Sequence, residues 1–213
     1  MVKKTKQQDF WSGAFGKGYN DRNTYTLKGF DAFYKRTWGV TRTAMNRRFL
    51  NGLRIRNVLE VGANIGLQLR HLQAQGFDNL YGVEIQWDAV ERAKHLTRRI
   101  NIIQGSAFDL PFKDEYFDLV FTSGVLIHIN PKDHSQALRE MYRTSRKYLW
   151  GFEYFAERQT EIPYRGNRNV LWKTNFPKVV QRACPKLKLV KKEFFPYRDG
   201  SGNKDVMYLF RKP

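Results

Sequence analysis

The stretch Asn57-Val58-Leu59-Glu60-Val61-Gly62-Ala63-Asn64-Ile65-Gly66-Leu67 constrains this chain more than any other, because an apolar run leads straight into a glycine turn and then into a helix. Val58, Leu59 and Val61 suit a strand covered on both faces. Gly62 lets the backbone approach a ligand closely, and Gly66 lets the following helix pack near the strand. About twenty residues further on, a second apolar run, Leu80-Tyr81-Gly82-Val83-Glu84, ends in a carboxylate, the position at which such folds hydrogen-bond a ribose. The two halves together predict an α/β nucleotide-cofactor site.

The chemistry of the turn selects the cofactor. A dinucleotide fingerprint needs Gly-x-Gly-x-x-Gly and a helix N-terminus open to pyrophosphate. Here the turn reads Glu60-x-Gly62-x-Asn64-x-Gly66, with an acid before the first glycine and Asn64 where the middle glycine belongs. An acid at this point repels a pyrophosphate but orients a cation. S-adenosylmethionine carries an ammonium and a sulfonium and no phosphate, so the residues favour it over NAD. Glu84 and Ile85 close the second strand. The run Asn101 to Phe108 then puts Ser106, Ala107 and Phe108 just past a third strand, to frame an adenine. Phe117 to Thr122 is a fourth, buried strand that ends at Thr122, Ser123 and Gly124.

With four strand ends in this order, the chain resembles the class I methyltransferases. In those enzymes the position of Ser106 is commonly an acid, so adenine recognition here rests more on backbone groups. The resemblance narrows with the opening Phe10-Trp11-Ser12-Gly13-Ala14-Phe15-Gly16-Lys17-Gly18-Tyr19-Asn20-Asp21-Arg22-Asn23, the form Val61 to Gly66, the block Gly124-Val125-Leu126-Ile127-His128-Ile129-Asn130-Pro131 and the late Tyr164-Arg165-Gly166. Together these are similar to the methylases associated with pseudaminic acid biosynthesis. That resemblance implies methyl transfer in surface-sugar metabolism, and leaves the acceptor atom open.

Charge is distributed unevenly. The net charge is +18, yet residues 57 to 157 hold 11 Lys and Arg against 13 Asp and Glu, while residues 1 to 56 hold 13 against 3 and residues 158 to 213 hold 14 against 4. Basic flanks around a neutral centre draw in an anionic acceptor such as a nucleotide-activated sugar, or a nucleic acid. The 213 residues predict a single domain: an N-terminal helical cap over 1–56, a cofactor-binding core over 57–157 and a substrate-side helix and hairpin over 158–213. No apolar run reaches membrane-spanning length, and the start Met1 to Gln8 shows no signal-peptide segment. One cysteine, Cys184, provides neither a disulfide framework nor a zinc cluster, and the acids are too scattered for a metal. A cytoplasmic location is expected.

Periodicity predicts a short helix and turn over 8–23, with Trp11, Phe15 and Tyr19 on one face, and a second helix over 29–52. Helices follow over 67–75, with Gly76 as stop, over 88–99, and from the Asn130-Pro131 cap to about Ser145. A strand over 146–155, a helix over 173–183 and strands over 187–197 and 205–211 complete the chain. This order gives a mostly parallel sheet with an antiparallel edge strand, and the resemblance makes it the seven-stranded, Rossmann-like class I methyltransferase fold.

Methyl transfer to an alcohol needs alignment and a base within hydrogen-bonding reach. His128 and Glu153 are the candidate bases. Tyr154, Tyr164 and Arg165 are candidates for the acceptor site, and Trp11, Phe15, Tyr19 and Arg22 for a segment that closes over the cofactor. The expected activity is O-methylation of an acidic or activated sugar in surface-glycan biosynthesis. The alternatives are an RNA or DNA methyltransferase and a protein that holds the cofactor without turnover. Thr122-Ser123-Gly124-Val125 lacks the Asp/Asn-Pro-Pro-aromatic form that handles exocyclic base amines, and no cysteine stands there to attack a pyrimidine.

Overall fold

The computed structural model describes residues 4–213, so the first residues of the basic N-terminus, Met1 to Lys3, lie outside the described residues. Among those described, four helices come first: α1 (Lys6–Ser12), α2 (Ala14–Arg22), α3 (Leu27–Trp38) and α4 (Arg42–Leu50). The single helix expected over 29–52 is broken for a local reason. Gly39 ends α3 in the left-handed conformation, with φ 78°, and the Thr41 hydroxyl accepts from the Ala44 N–H at 3.1 Å to start α4.

Strand and helix then alternate through β1 (Asn57–Val61), α5 (Leu67–Gln73), β2 (Asn79–Glu84), α6 (Trp87–Leu96), β3 (Ile100–Gln104), β4 (Phe117–Ser123), α7 (His134–Thr144) and β5 (Ser145–Tyr154). The Asn130 side chain caps as its sequence suggests, but Pro131–Asp133 forms a separate 3₁₀ turn before α7 begins. Beyond β5 a small pair, β6 (Thr160–Glu161) and β7 (Trp172–Lys173), precedes α8 (Phe176–Ala183), β8 (Lys188–Pro196) and β9 (Lys204–Arg211). The helix expected from Lys173 starts at Phe176 because the Asn175 side chain caps it and Pro177 sits in its first turn. Trp172 and Lys173 pair instead with Glu161 and Thr160.

The seven-stranded sheet has the order β3-β2-β1-β4-β5-β9-β8. The first five strands are parallel; β9 runs antiparallel to both neighbours, which leaves β8 at the edge. Alternate side chains along each strand supply two cores. Leu59, Val120 and Tyr208 face α7 and α8, where Ala137, Leu138, Phe176 and Val180 are buried. Val58, Leu119 and Leu209 face Phe30, Met45 and Phe49 of α3 and α4 and Leu69 and Leu72 of α5. This double coverage explains the continuous apolar runs of the central strands. The strand order reverses between β1 and β4, and their carboxyl ends open a crevice there.

At the opposite end of the sheet, Asp118 ties three strands together. Its carboxylate accepts from the backbone N–H of Arg56 at 2.7 Å and of Asn57 at 3.3 Å, and from Arg146 Nε at 3.0 Å; Lys147 Nζ lies 3.1 Å away. Burial pushes its pKa up, but these partners together prevail and hold it at about 2. A carboxyl with a lowered folded pKa stabilises the fold above its unfolded pKa and loses that contribution as pH falls through the folded value. Asp118→Asn should therefore be less stable than the parent at pH 7. The difference, read from urea midpoints, should shrink below about pH 4 and close near pH 2. A gap that does not change with pH would show that the carboxylate's charge contributes nothing.

Candidate functional site

The crevice is the mouth of a cavity of about 600 Å³, within the roughly 300–1,000 Å³ of small-molecule sites. One end is built from the glycine turn. Gly62 holds φ 77° and its N–H bonds the Val83 carbonyl at 2.8 Å, while Asn64 takes the left-handed conformation, with φ 49°. Glu84 organises this turn as well as facing the cavity: its carboxylate accepts from the N–H groups of Asn64 at 2.8 Å and Gln86 at 2.9 Å. Burial raises its pKa even so. Glu60 also lines the cavity at 2% exposure, and its Oε2 is buried without a hydrogen-bond partner. Burial pushes its pKa well up, against the opposing pull of the Arg42 guanidinium. A buried carboxyl oxygen without a partner, on a residue that lines a cavity, leaves one acceptor for a ligand group to satisfy.

Helices α1 and α2 roof this end. The Gln8 amide donates to Ser106 Oγ at 2.9 Å, and the Asn64 amide donates to Asn20 Oδ1 at 2.6 Å. Asn20 in turn donates to Gln86 and, at 3.2 Å, to Asp88. The two helices meet closely at Gly16, where a Cβ would lie 1.9 Å from the Trp11 carbonyl oxygen. Trp11 and Tyr19 face the cavity, as do Ile85, Ala107, Phe108, Ser123 and Gly124. The segment between β5 and α8 closes the other side through Ile162, Tyr164 and Leu171.

The far end is aromatic. Tyr34, Trp38, Phe152, Tyr154 and Tyr197 line it around one carboxyl, Asp205, at 5% exposure. Burial pushes Asp205 up to about 7, against the opposing pull of the Tyr197 hydroxyl and the Trp38 indole beside it.

Both expected bases face the cavity. His128 Nδ1 lies 2.8 Å from the Val170 carbonyl oxygen. Because a carbonyl only accepts, that nitrogen carries the proton and Nε2 keeps its lone pair. Burial holds the ring's pKa down at about 4, and Trp11 packs against it at 4.4 Å. Glu153 has its two oxygens 3.3 Å from the N–H groups of Val125 and Ile127, and burial raises its pKa to about 7. Its carboxylate thus shapes the turn after β4, which places Ser123, Gly124 and His128.

Five residues expected at the site stand outside the cavity wall. Phe15 stacks on Phe10 at 4.2 Å, and the exposed Arg22 lies over the Phe15 ring at 5.7 Å. Gly66 caps α5, its position crowded by Ile102 and Thr97. Thr122 is buried in the sheet. Arg165 is exposed at the tip of the turn closed by Tyr164 and Asn167, with φ 48°. Sequence reasoning in turn missed Asn20, Gln8, Gln86, Tyr34, Tyr197 and Asp205. Asn20 lay inside the N-terminal motif, where aromatic spacing drew attention to its neighbours. Nothing in the sequence marks Asp205.

Comparison with known proteins agrees with this geometry. A family model described as a methyltransferase domain matches residues 59–148. Norajmaline N-methyltransferase of Rauvolfia serpentina is 28% identical over 96 residues, which cover 42% of this chain and 32% of that protein, so the chain spans about a third of the length of this curated relative. A methyltransferase of Leishmania major superposes with a TM-score of 0.72 at 16% identity, covering 97% of this chain and 87% of that one. The 1,6-didemethyltoxoflavin-N1-methyltransferase of Burkholderia thailandensis does so with a TM-score of 0.70 at 16% identity, over 100% and 92%.

The sheet order and the matched domain define the Rossmann-like fold of the class I S-adenosylmethionine-dependent methyltransferases. This fold implies S-adenosylmethionine as cofactor. The donor set at the glycine turn is chemically compatible with it, since Glu60, Glu84 and Ser106 to Phe108 offer carboxyl, backbone and aromatic groups to a molecule with a cationic end, a ribose and an adenine. No described helix is long and apolar enough to cross a membrane.

Proposed function

We propose that this chain is a methyltransferase that binds S-adenosylmethionine at the Glu60 to Gly66 turn and methylates a small molecule in the adjoining cavity. The observation that carries this reading is the cavity's division into a carboxylate-and-glycine end and an aromatic end. S-adenosylmethionine, when bound, supplies a methyl group on a positively charged sulfur: an acceptor lone pair forms the new bond, the old bonding pair stays on sulfur as a neutral thioether, and the acceptor's proton must leave. The chain's own residues align the two partners, exclude water with α1, α2 and the 155–175 segment, and take that proton.

The likeness to the pseudaminic acid methylases suggests an activated sugar as acceptor. The lining favours a different charge. None of the described residues facing the cavity is Lys or Arg, whereas Glu60, Glu84, Glu153 and Asp205 all do face it. A sugar carboxylate or diphosphate would find no cation among the described residues, so this lining supports a neutral or cationic acceptor best. The basic flanks keep a second reading in view, methylation of a nucleic acid, whose binding would weaken steeply with added salt. A cytoplasmic setting accords with the one cysteine, Cys184, being buried and free.

Calorimetry with S-adenosylhomocysteine tests the cofactor site. Glu84→Ala should weaken binding by on the order of 1.5–3 kcal/mol, from loss of a charge-assisted contact. Unchanged affinity would overturn the assignment of Glu84, and NAD binding without S-adenosylhomocysteine binding would overturn the reading as a whole. Turnover of labelled cofactor against amines, activated sugars and bulk RNA separates the acceptor classes.

A further inference from the structure

We propose that the aromatic end of the cavity receives a flat, protonatable nitrogen compound bearing an N–H, and that Asp205 binds this N–H and takes its proton as the nitrogen is methylated. The inference rests on the methyltransferase reading and names the acceptor class for the same cavity.

Asp205 is the second residue of β9 and stands across the strands from Tyr154 on one side and Phe195 on the other. Tyr154 and Tyr197 stack nearly parallel, with ring centres 5.7 Å apart and 5° between planes. Trp38 meets Tyr197 edge-on at 5.5 Å and Tyr34 at 4.5 Å, and Phe152 meets Trp38 at 5.5 Å. Aromatic faces around a carboxyl attract a cation through ring quadrupoles and charge together, and flat walls select a flat ligand.

Among the described residues, the groups around Asp205 offer it no cationic partner. From the loop after β8 comes the Tyr197 hydroxyl, from β5 Tyr154, and from α3 the Trp38 indole with Tyr34 behind it; the hydroxyl and the indole N–H are neutral donors and both hold the carboxyl's pKa down. Lys173 of β7 is engaged with Asn203 Oδ1 at 3.1 Å and lies over the Tyr154 ring. Lys204 lies over Phe155 and Phe194. Asp199 adds negative charge near Tyr154. A buried carboxyl with its pKa at about 7 is matched to accept a proton near neutrality, and a cationic ligand would fill the missing role of counter-ion. Glu153, the other cavity carboxyl with a pKa of about 7, already has its oxygens on backbone N–H groups.

The test uses the full chain loaded with S-adenosylhomocysteine and two probes of the same ring system, 4-aminoquinoline as cation and quinoline-4-carboxylate as anion. Calorimetry should show the cation binding at least tenfold more tightly, with an affinity that declines as pH falls through about 7 and Asp205 becomes neutral. In Asp205→Asn both the preference and the pH dependence should disappear while S-adenosylhomocysteine affinity stays constant. Equal binding of the probes, preference for the carboxylate, binding of neither, or an Asp205→Asn variant that still prefers the cation would each overturn the proposal. The comparison of probes on the parent chain stands even if the variant does not fold. Failure to bind S-adenosylhomocysteine at all would instead bring down the methyltransferase reading, and this inference with it.

Discussion

Gly62→Ala is expected to weaken S-adenosylhomocysteine binding by more than tenfold and to destabilise the fold by several kcal/mol, whereas Gly76→Ala should do neither. Both glycines have positive φ, 77° and 93°. An L side chain in that region costs about 1–2 kcal/mol wherever it occurs. Surroundings distinguish the two. A Cβ on Gly62 would lie 2.5 Å from Val125 Cγ2 and 2.9 Å from its Cγ1, while one on Gly76 meets nothing within 4 Å. Relieving the collision at Gly62 must move Val125, whose N–H is bonded to Glu153, and so must shift the turn that carries His128. Overpacking of this kind typically adds about 1–3 kcal/mol. Calorimetry and thermal melting of the two variants would decide the matter. Equal losses in both would reduce the effect to backbone strain and remove the argument for a tight cradle at Gly62.

Where local chemistry dictated structure, the sequence was legible. Val58 to Val61 could only be a strand buried on both faces, and Gly62, Asn64 and Glu84 stand where that strand's connection required them. The sheet order follows from the same logic, since right-handed crossovers leave few ways to arrange these strands. The break between α3 and α4 was written in Gly39 and Thr41 but hidden by the amphipathic run on either side. Residues that act only through distant neighbours were not legible. Asp205 looks like any strand-end acid until β5 and the loop after β8 bring Tyr154 and Tyr197 to it. Asn20 gains its role from Asn64 and Gln86, 44 and 66 residues away.

Charge was legible only coarsely, for a related reason. Regional counts of Lys and Arg say how basic a segment is, not which face of it the cations occupy. Arg22 lies on the outer side of α2 while Asn20 and Tyr19 face inward, and Arg165 stands at a turn tip while Tyr164 faces the cavity. The one deeply buried guanidinium, Arg42, was not singled out by its sequence context. It is fully buried, bonded to Asn46 at 2.8 Å and to Tyr34 and Ser123, and packed over the Trp150 ring at 5.1 Å. It supports the cavity wall from behind and supplies the positive charge that partly offsets Glu60.

Removing residues 1–23 should leave a folded protein whose affinity for S-adenosylhomocysteine is lower by on the order of a hundredfold, or about 2.7 kcal/mol. The helix α1 buries no side chain and α2 buries only Gly16 and Asn20, and neither helix contributes a buried residue to the two cores, so little of the core is lost. What the segment does touch belongs to the cofactor end. Gln8 bonds Ser106, Asn20 bonds Asn64 and Gln86, Trp11 covers His128, and Phe15 meets Tyr164 at 5.8 Å. On the far side only a few surface contacts hold it, among them Asp21 with Arg92 at 2.7 Å and Gln7 with the Asn169 carbonyl at 3.0 Å. Such a roof is weakly attached without ligand and gains contacts with one, so ligand binding and roof ordering reinforce each other. The melting temperature of the shortened chain should therefore match that of the parent in buffer more closely than in saturating S-adenosylhomocysteine, where only the parent gains a large increment. A shortened chain that binds as tightly as the parent, with the same thermal increment, would show α1 and α2 to be packing alone.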